Sequence, residues 1–156
     1  MEENDILGNA FVDMYAKCDD LEKAQLVVDE LPIQDLVSWN SLLLLYAEHG
    51  LSDSTILCLG QMQEEGIVPD EQCLVIALQA CCVLFQDMEV EGYLACLQIG
   101  QAIHAEARRK GLLSNIFVGS TLISMYGKLG NIIGAENVFV QLPRQSIGPW
   151  NAMLSA

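Results

Sequence analysis

The chain has 156 residues, 52% of them apolar, and carries a net charge of −14. This is enough for one domain with a real core, and the apolar content excludes a disordered chain. The charge is uneven: residues 1–91 hold 19 acidic and 2 basic side chains, a balance of −17, while residues 92–156 hold 2 and 5, a balance of +3. Taken alone, the acidic half argues against a nucleic-acid partner.

In chain order the pattern is one of short helices in pairs. Ala10 to Lys17 predicts a first helix. After a polar turn at Asp19 and Asp20, Leu21 to Leu31 carries apolar residues at 21, 24, 27, 28 and 31, one stripe on a helix that Pro32 ends. The next pair is Trp39 to His49, stopped by Gly50, and Ser54 to Glu65, stopped by Gly66 and followed by Pro69. Gln72 to Leu84 and Leu97 to Lys110 form a third pair ending at Gly111. The fourth is Ser120 to Leu129, Gly130, then Ile132 to Leu142 and Pro143. No apolar run reaches membrane-spanning length, because the richest, Cys73 to Phe85, is interrupted by Gln79. The opening MEENDI has the character of neither a secretory signal nor a transit peptide.

Self-comparison shows that the pairs are repeats. GNAFVDMYAKCDDLEKAQLVVDELPIQDLVSWN (8–40) aligns without a gap on GSTLISMYGKLGNIIGAENVFVQLPRQSIGPWN (119–151). Tyr15 and Tyr126, Lys17 and Lys128, Pro32 and Pro143, Trp39 and Trp150, Asn40 and Asn151 coincide. Helix pairs of this size cannot bury their apolar faces alone and must stack, so the expected fold is an all-α solenoid, a right-handed superhelix of helix-turn-helix pairs.

No constellation for catalysis stands out. His104-Ala105-Glu106 spells H-x-E, half of a zinc deaminase signature, but the P-C-x-x-C half is missing and His104 falls inside a helix. The six cysteines form no C-x-x-C pair and the two histidines, His49 and His104, are far apart, so no metal site and no cofactor are expected. The cysteines are expected as small packed side chains of a reduced protein. The reading is of a chain that is not an enzyme.

The strings GNAFVDMYAKC, DLVSWNSLLLLYAEHG, QMQEEGIVPD, GQAIHAEARRKGL, NIFVGSTLISMYGK and PWNAML resemble pentatricopeptide repeat proteins, specifically the plant PLS subclass, and cover nearly the whole chain. The resemblance implies a short repeat at 5–35, a standard repeat at 36–70, a long-type repeat at 71–115, a short repeat at 116–146 and the start of a truncated standard repeat at 147–156. The long-type unit exceeds the family's usual length by about ten residues. The excess lies near 85–96, where Asp87, Glu89 and Glu91 suggest a solvated loop. Asp19 and Leu129 also depart from the usual Gly and Cys.

What the resemblance implies is single-stranded RNA bound along the first helices, one base per repeat. Base-reading pairs fall on Asn9 with Asp35, Asn40 with Asp70, Val75 with Asn115, and Ser120 with Ser146; Asn151 is half of a fifth pair. In the family, Asn with a terminal Asp favours uracil, so the first two units suggest U-U. Val75 cannot hydrogen-bond, and Ser120 with Ser146 has no clear preference. Ile6, Val37 and Phe117 take the base-sandwiching position, where Gln72 and Gly148 fit less well; Lys17 and Lys128 are the phosphate contacts. By the same resemblance the protein works in organellar transcript processing, such as selecting a site for C-to-U editing, in a mitochondrion or chloroplast. Its partners would be RNA and editing-complex proteins, with neither a membrane nor a small-molecule substrate.

Plainer readings stand beside these. Asn9 and Asn40 could simply cap or bond backbone, and Lys17 and Lys128 could answer the negative helix end. Trp39 and Trp150 suit the core between repeats better than a base platform. Arg108, Arg109 and Lys110 close a helix, where the dipole favours them. The alternative function is a protein-interaction scaffold, or a fragment without useful RNA affinity, and the −17 half favours it.

Overall fold

The computed structural model describes residues 10–12, 14, 15, 17, 18, 20–30, 35–87 and 90–143. Every regular element among the described residues is helical: α1 Leu21–Glu30, α2 Leu36–Glu48, α3 Ser52–Glu64, α4 Glu71–Asp87, α5 Val90–Arg109, a 3-10 turn at Leu112–Ser114, α6 Ile116–Lys128 and α7 Ile132–Gln141. Residues 10–12, 14, 15 and 17 are helical as well, and Cys18 N bonds Met14 O at 3.0 Å where that segment ends. The fold class is all-α, made of helix pairs joined by tight turns.

The turns explain why the helices stop where they do. Gly50, Gly66 and Gly130 adopt φ of 69°, 78° and 65°, in the left-handed region where only glycine carries no Cβ penalty. At each the next residue's N–H reaches back to close the helix: Leu51 to Tyr46 O, Ile67 to Met62 O and Asn131 to Tyr126 O, at 2.9, 3.0 and 2.8 Å. The expected stops at these glycines are the observed ones.

The chain falls into two compact units, residues 1–76 and 77–156, with the boundary inside α4. In the first, α2 packs on both α1 and α3. Its core comprises Ala24 and Val28 of α1, Leu42, Leu43 and Leu45 of α2, and Met62 of α3, all buried. Burying one Leu side chain completely is worth roughly 1.5–3 kcal/mol, so Leu42, Leu43 and Leu45 anchor α2 firmly in this unit. Trp39 lies in the same core, 4% exposed, as expected of a packing residue.

In the second unit α6 packs on α7 and α5. Leu122, Ile123 and Met125 are fully buried between them, with Val138 of α7 and Ala107 of α5. Small residues allow the close approach. Gly119 lies so near Leu142 that a Cβ there would stand 2.9 Å from the leucine Cγ. His104 Nδ1 and the Tyr126 hydroxyl are 2.8 Å apart, within hydrogen-bonding distance between α5 and α6. Among the described residues no cluster of metal-ligating side chains occurs.

Two expectations change. Near 85–96, where a loop is expected, the described residues are helical: α4 runs to Asp87 and α5 begins at Val90. The carboxylates suggested solvent, but residues 93–96, Tyr-Leu-Ala-Cys, continue an apolar pattern. Cys96 is buried and the Tyr93 hydroxyl donates to Leu129 O at 2.8 Å, which fixes the start of α5 on the end of α6. Helices α2 and α6 also begin three or four residues earlier than the apolar pattern indicates, because Asp35 and Asn115 cap them.

Candidate functional site

Asp70 immediately precedes α4, and its Oδ1 accepts from Cys73 N at 2.9 Å, satisfying one of the otherwise unpaired amides of the first turn. Its other oxygen, Oδ2, accepts from Asn40 Nδ2 at 3.1 Å, across 30 residues of chain. The structure thus brings together the two side chains that the repeat register pairs, and it does so by a direct hydrogen bond. Asn40 Oδ1 in turn accepts from the Cys73 thiol at 2.8 Å. Both Asn40 and Asp70 are half-buried; Cys73 is fully buried.

The electrostatics of the group are consistent with that geometry. Burial pushes the Asp70 carboxyl up, but the Cys73 backbone N–H and the Asn40 amide outweigh it, so Asp70 is held below the ordinary carboxylate value and is ionised at neutral pH. An ionised carboxylate only accepts, so the Asn40 amide must turn its NH₂ toward Asp70 and its oxygen toward Cys73. Burial pushes the Cys73 thiol up to about 12, which keeps its proton in place.

The other unit-ending residues also begin helices. Asp35 accepts from Ser38 N at 2.9 Å, while Ser38 Oγ receives the Asp35 N–H at 3.1 Å, a capping box opening α2. Asn115 Oδ1 takes the N–H groups of Phe117 and Val118 at 2.9 and 3.2 Å, opening α6. Capping, posed above as a plainer reading for Asn40, is done by the terminal residues Asp35 and Asn115; Asn40 lies inside α2 and bonds side chains. Val75 is half-buried in α4. Ser120 is half-buried too, and its hydroxyl donates to Ile116 O and to Phe117 O.

Val37 and Phe117 are the second residues of α2 and α6 and are 56% and 73% exposed. Two large apolar side chains at equivalent positions have no share in the core. Lys17 and Lys128 are exposed, each at or near the end of a first helix. Asn9, Ser146, Asn151 and Ile6, with Trp150, lie outside the described residues.

A cleft of about 350 Å³ in the second unit joins several of these positions. Ser120, Ser124 and Lys128, spaced by four on one face of α6, line one wall; Gln79 and Cys82 of α4 line the other. Burial raises the Cys82 thiol, and the charge of Lys128, which lines the same cleft, partly offsets the rise. Gln79 and Ser124 were not singled out from sequence. Their spacing from Ser120 and Lys128 on neighbouring first helices is the signal that could have found them.

Paired helices closed by glycine turns, with an amide-carboxylate pair joining one unit's first helix to the start of the next, define a helical-repeat scaffold. The PPR repeat family model matches residues 37–67 and 120–147. A pentatricopeptide repeat-containing protein of Arabidopsis thaliana is 35% identical over 150 residues, 96% of this chain and 17% of that protein. A chloroplastic one is 33% identical over 154 residues, covering 99% and 23%, and a mitochondrial one 32% over 146 residues, covering 94% and 22%. Among solved structures, the pentatricopeptide repeat protein PPR10 from maize matches 96% of this chain and 26% of its own, at 16% identity and a TM-score of 0.49. The chain belongs to the pentatricopeptide repeat family, and it spans about a fifth of the length of the curated relatives it matches.

Proposed function

We propose that this chain is an RNA-binding segment that reads single-stranded RNA at one base per repeat, within an organellar protein of transcript processing such as C-to-U editing. The observation that carries the reading is the Asn40–Asp70 hydrogen bond. An amide held half-exposed by the carboxylate that ends its own unit is poised to meet a base edge. Val37, three residues before Asn40, offers the apolar surface on which a base can rest, as Phe117 does before Ser120. Lys128 supplies positive charge beside Ser120 for the backbone. The organelle follows from relatives named chloroplastic and mitochondrial.

The −17 balance of residues 1–91 favours a second reading, a scaffold for proteins. Titration of labelled oligonucleotides separates the two. The RNA reading requires tighter binding of U-U than of A-A at the first two register positions, weakening from low to moderate salt. Absence of binding at micromolar protein, or equal binding of both sequences, would reject it for this chain.

A further inference from the structure

Asn40 has more hydrogen bonds than base reading by a free amide would need. Its Nδ2 gives one proton to Asp70 Oδ2 at 3.1 Å, and its Oδ1 takes the Cys73 thiol proton at 2.8 Å. Asp70 decides which end of the amide faces it. It leaves the plane of the amide free to rotate about that contact. Cys73, rising from the first turn of α4 and fully buried, supplies the second point that fixes the plane. Cys73 Sγ is itself 3.9 Å from Met62 Sδ in the core, so the thiol cannot swing away without disturbing packing.

We infer that Cys73 is a positioning residue for base selection: its thiol, with Asp70, holds the Asn40 amide in one plane so that a single N–H donor is left for the base. The inference rests on the reading of Asn40 as a base reader. With the amide oxygen turned toward Cys73, the N–H donor presented outward favours an exocyclic carbonyl and disfavours an exocyclic amine at that contact. It therefore selects uracil over cytosine, bases of one size that differ there only in this chemistry.

The unit opened by Asn115 lacks this arrangement. The position three residues after the terminal Asp or Asn is Ser38 in the unit opened by Asp35 and Val118 in the unit opened by Asn115. Ser38 spends its hydroxyl on Asp35 O at 2.9 Å, and valine has no donor. Of these positions, Cys73 bonds Asn40, the amide of the preceding unit.

The test compares the 156-residue chain with Cys73→Ser, which keeps a donor, and Cys73→Val, which fills the space without one. Asn40→Ser serves as the control for base reading. Each is titrated with oligonucleotides differing only by U or C at the Asn40 register position. We expect a wild-type preference for U of about tenfold, largely kept by Cys73→Ser and reduced to about twofold or less by Cys73→Val. The Asn40 side-chain NH₂ pair, followed by ¹⁵N NMR without RNA, should lie away from free-amide shifts in wild type and move toward them in Cys73→Val. Undiminished U preference in Cys73→Val, with preference lost in Asn40→Ser, overturns the role of Cys73 and leaves base reading intact. If wild type does not discriminate U from C, base reading by Asn40 falls, and the RNA role of Cys73 with it. An Asn40 NH₂ pair unchanged in Cys73→Val overturns the positioning itself.

Discussion

Replacing Asp70 by Ala removes two interactions at once, and the structure sets the size of the effect. The cap on α4 is lost, at about 1 kcal/mol, because Cys73 N no longer has the carboxylate oxygen 2.9 Å away. The Asn40 amide loses its acceptor while half-buried, worth about 1 kcal/mol more. The sum, about 2 kcal/mol, corresponds to a fall in Tm of about 4–8 °C for a chain of this size. Urea unfolding followed by helical circular dichroism measures it, and Asp70→Asn is the partner variant, because Asn caps as well as Asp. Asp70→Asn should remain within about 0.5 kcal/mol of wild type. Amide exchange at Cys73 should accelerate in Asp70→Ala and not in Asp70→Asn. If Asp70→Ala is as stable as wild type, Asp70 is an ordinary surface carboxylate and the pairing with Asn40 carries no energy.

The same residue gives a pH dependence: its folded-state pKa is depressed, so its contribution is present above the ordinary carboxylate value and lost as pH falls through the folded one. Asp70→Asn should flatten the acid limb of a stability-pH profile, and an unchanged limb would contradict the assignment. His104 is lowered by burial and by the Arg108 charge, so stability should fall as pH drops through its ordinary value of 6.5, and an NMR titration of its ring should give a midpoint below that value. Gly119→Ala should destabilise by about 1–3 kcal/mol, because Leu142 would stand 2.8 Å (Cδ1) and 2.9 Å (Cγ) from the new methyl; Gly100→Ala, opposed by the flexible end of Met125, should be milder in a parallel thermal melt. Thiol labelling should modify exposed Cys18 rapidly and leave Cys58 and Cys81, buried and pushed up to about 12, unlabelled until the chain unfolds.

The repeat pattern made the helix pairs and their glycine stops legible, since both follow from local chemistry: an apolar stripe and a left-handed turn. The pairing of Asn40 with Asp70 was legible only through register, because nothing local links residues 30 positions apart. Helix starts were less legible. Asp35 and Asn115 were weighed as readers of bases, and the apolar pattern alone begins after the turn that their side chains cap. Near 85–96 the three carboxylates signal solvent, whereas the described helix start at Val90 is tied down by Tyr93 meeting Leu129, 36 residues away, which no local pattern records. Cys73 gave no signal at all. Its contact with Asn40 depends on how α4 lies against α2, which no spacing in the sequence records.

The double use of the unit-ending side chain has a consequence for how such an array can change over evolutionary time. Asp35, Asp70 and Asn115 each hold the first turn of the helix that follows them. If they also help choose a base, the alphabet at that position is restricted by a neighbour that never meets the base. Asp, Asn, Ser and Thr keep the next helix capped, whereas another letter costs about 1 kcal/mol before any gain in recognition. Drift between recognition specificities should then run along exchanges such as Asp to Asn. The partner position inside the helix, with no turn to hold, is free to vary more widely.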